Sequence, residues 1–151
     1  CYAGNAQTMS AQLLKQFISS LQQDVLRLDQ LNQLLEHQYE LMSQRDGEQL
    51  QQLNQQSLQL MTALELSHNE RDVVLQQFGL QNNRDGMRQL VSRLPAPVQH
   101  GTRQLLQELT LKARLCHAQN EKSGKLLASQ RQLMQKLTGM HSRTSYPAMP
   151  L

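Results

Sequence analysis

Between Ser10 and Phe78 the leucines keep step with a helical repeat, and the run holds no proline and a single glycine, Gly47. Leu14, Leu21, Leu28, Leu35 and Met42 recur every seven residues, with Phe17, Ile18, Val25, Leu31 and Tyr39 filling the turns between them. After Arg45-Asp46-Gly47 the pattern resumes at Leu50, Leu53, Leu60, Leu64, Val74 and Phe78, widened by Met61 and Leu75. Apolar residues three and four apart share one face of a helix, so the spacing predicts two long helices folded back on each other. Each arm of about 33 residues extends roughly 50 Å at 1.5 Å per residue. Asp24, Gln38, Ser57, Ser67 and Arg71 fall on or beside the stripes, which suits a bundle or an adaptable interface better than a two-stranded zipper.

The chain beyond Phe78 is punctuated by turn residues. Gly79 is placed to end the second helix in a left-handed cap. Asn82 and Asn83 then cap a short helix from Arg84 to Leu94, which Pro95 and Pro97 close. A third long helix follows, with a seam of Leu105, Leu106, Leu109, Ala113 and Cys116. A polar patch from His117 to Gly124 interrupts it before Leu126, Leu127, Met134 and Leu137 resume the pattern. Asn120 and Ser123 keep the seam's heptad frame and are expected to face the bundle or a partner, and Gly124 costs about 1 kcal/mol relative to alanine inside a helix. The patch reads either as a register-fixing polar pair or as a place that receives a partner's apolar helix. The expected architecture is all-α and coiled-coil-like: an elongated antiparallel hairpin, a short helix and a third long helix, at about 10–44, 47–78, 84–94 and 98–138. Together these make one domain, 10–138, between a disordered extension, 1–9, and a flexible tail, 139–151.

Charge changes this picture by dividing it. The net charge is only +3, yet residues 1–81 carry nine acidic side chains against Lys15, Arg27, Arg45 and Arg71, while the remainder carries eleven basic ones against Asp85, Glu108 and Glu121. An acidic hairpin and a basic third helix attract each other when packed. Nucleic acid is a poor partner, because no aromatic residue interleaves the basic positions from Arg84 to Arg143 to stack on bases. No run approaches the roughly 18 apolar residues of a membrane span, so no membrane insertion is expected. The two cysteines, Cys1 and Cys116, form no disulfide framework or zinc spacing, which points to a reducing cytosol. A processed lipoprotein carries its lipid on an N-terminal cysteine, but Met9-Ser10 reads as a natural start and residues 1–8 as an extension.

Candidate chemistry changes little. The chain lacks a glycine-rich phosphate loop, a nucleophile elbow and Cys-x-x-Cys. Glu65-Leu66-Ser67-His68 has the spacing of a di-iron ligand pair, but no second Glu-x-x-His accompanies it. His117 with Glu121 and Glu36 with Glu40 stand one turn apart on amphipathic helices, where such pairs ordinarily face solvent. Adjacent helix positions point about 100° apart, so Cys116 and His117 do not form a thiolate pair. No catalytic residue, metal site or cofactor is expected.

One ordered set of features resembles a known family. It comprises Leu34-Leu35-Glu36 through Leu41, Arg45-Asp46, Leu50 and Leu53, Leu60 and Leu64, Arg71 to Leu75, and the stop at Phe78-Gly79. With Asn120-Glu121-Lys122-Ser123-Gly124-Lys125-Leu126-Leu127, it resembles the FlgN-type flagellar export chaperones over most of Ser10 to Leu137. One departure is Gln55, Gln56 and Ser57, where members often place a lysine. The resemblance implies a non-catalytic cytosolic chaperone of type III flagellar export, a monomer or weak homodimer. Its cargo would be the C-terminal helical segments of the hook-filament junction proteins FlgK and FlgL, and its destination the export gate protein FlhA. By position it assigns cargo to Leu115, Asn120, Ser123, Gly124, Leu126, Leu127, Met134 and Leu137, and gate docking to Tyr146. A structural, self-associating coiled-coil protein is the competing reading.

Overall fold

The computed structural model describes the backbone of residues 2–44 and 46–138, and side chains from residue 11 onward except at 45, 127, 130, 131, 133, 134 and 138. Four helices occupy almost all of it: α1 (Tyr2–Gln44), α2 (Gly47–Gln77), α3 (Arg84–Ser92) and α4 (Ala96–Thr138). The chain is thus an all-α helical bundle. Helix α1 starts well before Ser10, where an unstructured extension was expected; Ala3, Ala6, Gln7 and Met9 favour the helix and no proline stops it. Helix α4 likewise starts ahead of Val98, with Pro97 inside its first turn, where a missing N–H costs nothing. The tail from 139 lies outside the described residues.

Local sequence explains the ends. Asp46 caps α2 by accepting a hydrogen bond from the Gln49 backbone N–H at 3.3 Å. At the far end Gly79 adopts φ 72°, its N–H reaches the Gln76 carbonyl and the Leu80 N–H reaches that of Leu75. This is the Schellman pattern, sealed because Leu75 and Leu80 are both buried in one core. Asn83 caps α3 through the Gly86 N–H at 2.7 Å. A side chain at Gly86 would overlap the Gln81 carbonyl oxygen, so glycine is what lets α3 turn this tightly out of the loop.

Helix α1 is the centre of the bundle. Its buried positions Phe17, Leu21, Asp24, Leu28, Leu31, Leu35, Gln38 and Met42 alternate four and three apart, the spacing of a coiled-coil seam. Helix α2 runs antiparallel to it, joining Asp24 to Arg71 and Gln38 to Asn54. Helix α4 runs parallel to it, because the chain reverses twice: Asp29 meets Lys112 and Tyr39 meets Lys122, both at an offset of 83 residues. Among the described residues α2 and α4 make no Cα approach within 8 Å of each other, yet side chains of both pack on the same apolar clusters of α1. Helix α3 bridges α2 and α4 at the base. There Phe17, Leu21, Leu75, Leu90 and Val91 form the main core.

The parallel register has a consequence for length. At the same offset, Gln44 at the end of α1 stands level with position 127, so residues 128–138 of α4 run past the hairpin. Eleven residues at 1.5 Å each make an overhang of about 16 Å.

Candidate functional site

The interface between α1 and α4 changes character along its length. Near the base Leu105, Leu106 and Leu109 pack against the main core. One turn further the seam position is Lys112 rather than Ala113, which is exposed and so does not face the bundle as the sequence suggested. A lysine fits there because its stem lies along the helix while its ammonium reaches Asp29 at 2.8 Å. That ion pair is the one joining the basic α4 to the acidic hairpin among the described residues. Asn32 adds a hydrogen bond from Nδ2 to the Lys112 carbonyl at 3.1 Å.

Cys116 packs on Leu28, Leu31 and Leu35, and burial pushes its thiol pKa up. Beyond it the seam turns polar. Ser123 is 2% exposed and its Oγ has no partner within the chain; Gln119 Oε1 and, across on α1, Asn32 Oδ1 share that condition. A buried polar atom left without a partner costs about 1–3 kcal/mol. Lys122 Nζ sits 3.9 Å from the centre of the Tyr39 ring, a cation–π contact at the rim. Beside it opens a cleft of about 390 Å³ lined by Tyr39, Ala118, Glu121, Lys122, Lys125, Leu126 and Ser129.

The sequence-derived candidates distribute unevenly around this junction. Ser123 is buried against the hairpin, while Asn120, Gly124 and Leu126 are half-buried. Leu115 is 49% exposed and Leu137 on the overhang is 72% exposed. The side chains of Leu127 and Met134, and all of Tyr146, lie outside the described residues. Sequence reading missed Asn32, Lys112 and Gln119. The signal was present: 102, 105, 109, 112, 116, 119, 123 and 126 form an unbroken alternation of three and four, but four of those positions, Thr102, Lys112, Gln119 and Ser123, carry polar chains that an apolar search passes over.

Among the described residues the other candidate pairs do not converge. His117 and Glu121 pair at 3.1 Å, exposed on one helix, and His68 meets Asn82 rather than Glu65. Among the described residues no group of three His, Cys, Asp or Glu side chains stands close enough to hold a metal ion, and no helix is long and apolar enough to cross a membrane. A second groove, of about 650 Å³, runs between α1 and α2, where Gln30, Gln33, His37, Gln56 and Gln59 line it around Leu34, Leu53 and Leu60. One histidine among amides makes no acid–base pair and has no nucleophile beside it in that lining.

The described residues thus form an amphipathic bundle with a polar junction and an exposed leucine near the end of α4. Neither the curated proteins nor the solved structures include a match. The family described as FlgN protein matches residues 9–145, which takes in the hairpin, α3 and all of α4. The chain belongs to the FlgN family of flagellar export chaperones.

Proposed function

We propose that this chaperone works in the cytosol, binding the C-terminal helical segments of the hook-filament junction proteins FlgK and FlgL and releasing them at the export gate protein FlhA. The observation that carries the reading is the overhang of α4. Leu137 is exposed there, and residues 130, 133 and 137 continue the seam heptad past the end of α1. A cargo helix that later polymerises presents an apolar stripe, and an apolar helix face without a hairpin beside it is complementary to that stripe. Leucine and methionine at Leu126, Leu127, Met134 and Leu137 suit more than one such partner, since methionine repacks readily. Docking to FlhA falls to Tyr146, and the free chaperone is a monomer or weak homodimer.

Calorimetry with a peptide of the FlgK C-terminal helix tests this directly. Leu127→Glu with Met134→Glu is expected to weaken binding about 100-fold, which corresponds to roughly 2.7 kcal/mol. Far-ultraviolet circular dichroism should remain unchanged, because position 127 stands level with the end of α1 and position 134 lies beyond it. Unchanged affinity with intact helicity would remove the assignment. Light scattering separates it from the self-assembling coiled-coil reading, which requires a stable, concentration-independent oligomer.

A further inference from the structure

The two halves of the α1–α4 interface are matched very differently. At the base, leucine meets leucine. At the distal end Leu28, Leu31 and Leu35 of α1 are covered by Leu60, Met61 and Leu64 of α2 and by Leu109 and Cys116 of α4, and beyond Cys116 the α4 seam offers only Gln119 and Ser123 before Leu126. Three buried atoms at this end, Asn32 Oδ1, Gln119 Oε1 and Ser123 Oγ, have no partner within the chain. The next residue, Gly124, lowers the helix's own resistance to opening. Among the described residues no Cα atom of α2 comes within 8 Å of one in α4, so the backbone of distal α4 lies close to α1 alone.

We propose that distal α4, from about Cys116, is a cover that swings off α1 and admits a partner's helix between them. The occupant is an amphipathic helix with leucine, isoleucine, valine or methionine where α4 places Gln119 and Ser123, and with a hydrogen-bond donor opposite Asn32. Such a helix answers the leucine face of α1 better than α4 itself does. The overhang supplies its first contact, and entry then proceeds toward the base. The proposal rests on the chaperone reading and deepens it by placing the cargo on α1 as well as on α4.

The test tethers the cover. In a chain carrying Cys1→Ser and Cys116→Ala, Tyr39→Cys and Lys122→Cys are joined by a bismaleimide with a cleavable disulfide spacer, across the 3.9 Å contact. The FlgK peptide is expected to bind the tethered chain at least tenfold more weakly, and cleavage of the spacer should restore the affinity. Equal affinity in the tethered and cleaved states overturns the proposal and leaves the chaperone reading standing. Absence of binding to the untethered chain overturns both. Independently, Ser123→Leu is expected to raise the melting temperature while weakening peptide binding, and a rise with undiminished binding also overturns the proposal. In the free chain, backbone amides of 116–126 should exchange with solvent many-fold faster than those of 105–110; equal protection counts against it.

Discussion

Asp24 is 0% exposed, and a bare carboxylate could not stay there. It survives because Arg71 donates to Oδ2 and Arg27 to Oδ1, while Ser67 and Ser20 accept further hydrogen bonds from Arg71 at 2.9 and 3.5 Å. Removing one partner strands the other, so Asp24→Leu is expected to destabilise the fold by about 3–5 kcal/mol in urea denaturation. Adding Arg71→Leu should recover most of that loss, since an apolar pair of similar size fits the seam. Failure of the double variant to recover would mean that the charges, not merely their pairing, hold the hairpin register. Much of this pairing was legible: Gln38 and Asn54 stand equally far from Asp46, so a hairpin turning there brings them face to face. Asp24 and Arg71 are less symmetric about the turn, and only the reach of the arginine closes their pair. Cys116 adds a pH dependence of known sign. Burial raises its pKa above the unfolded value, so its contribution to stability is complete at neutral pH and is lost as pH rises from about 9 through the folded pKa. In a Cys1→Ser chain, alkylation at pH 8 should be slower in the native state than in urea.

At the scale of elements, the base owes its shape to α3. Its start is held by Asn83 and depends on the absence of a side chain at Gly86. Gly86→Ala is expected to cost about 1–3 kcal/mol, because the obstacle is backbone at Gln81 and cannot rotate away. Gly86→Ala with unchanged urea midpoint would show that the loop yields instead. Long helices were readable from period alone, and the stop at Gly79 from its residue type. The close approach at Gly86 was not, since Arg84-Asp85-Gly86 reads as an ordinary first turn and the obstructing carbonyl belongs to a loop with no pattern. The proline pair was read as an end when it is a beginning, because a proline is equally at home after one helix and in the first turn of the next.

The whole molecule is a central helix with two long helices packed along it, one of which outgrows it. A chain ending at residue 126 is therefore expected to keep the hairpin, α3 and the main core, with a melting temperature close to that of the full chain. It should lose nearly all affinity for the FlgK peptide, measured by calorimetry. A truncated chain that binds normally would remove the overhang from the site. The candidate surface was partly legible, since the failing pattern near Asn120 and Gly124 marks the junction where buried polar atoms gather. Its depth was not, because the offset between α1 and α4 is set by two chain reversals and by Lys112, none of which leaves an apolar signature.

Because α1 has two faces and is made first, the order of synthesis leaves them uncovered for unequal times. Its α2-facing side finds a partner as soon as the hairpin emerges, whereas the opposite side waits for residues 105–126. At about 5–20 residues per second, that face stays open for seconds on every ribosome that makes this protein. A nascent chain therefore passes through a stage in which the leucines beneath distal α4 are accessible to any helix nearby, a neighbouring nascent copy included.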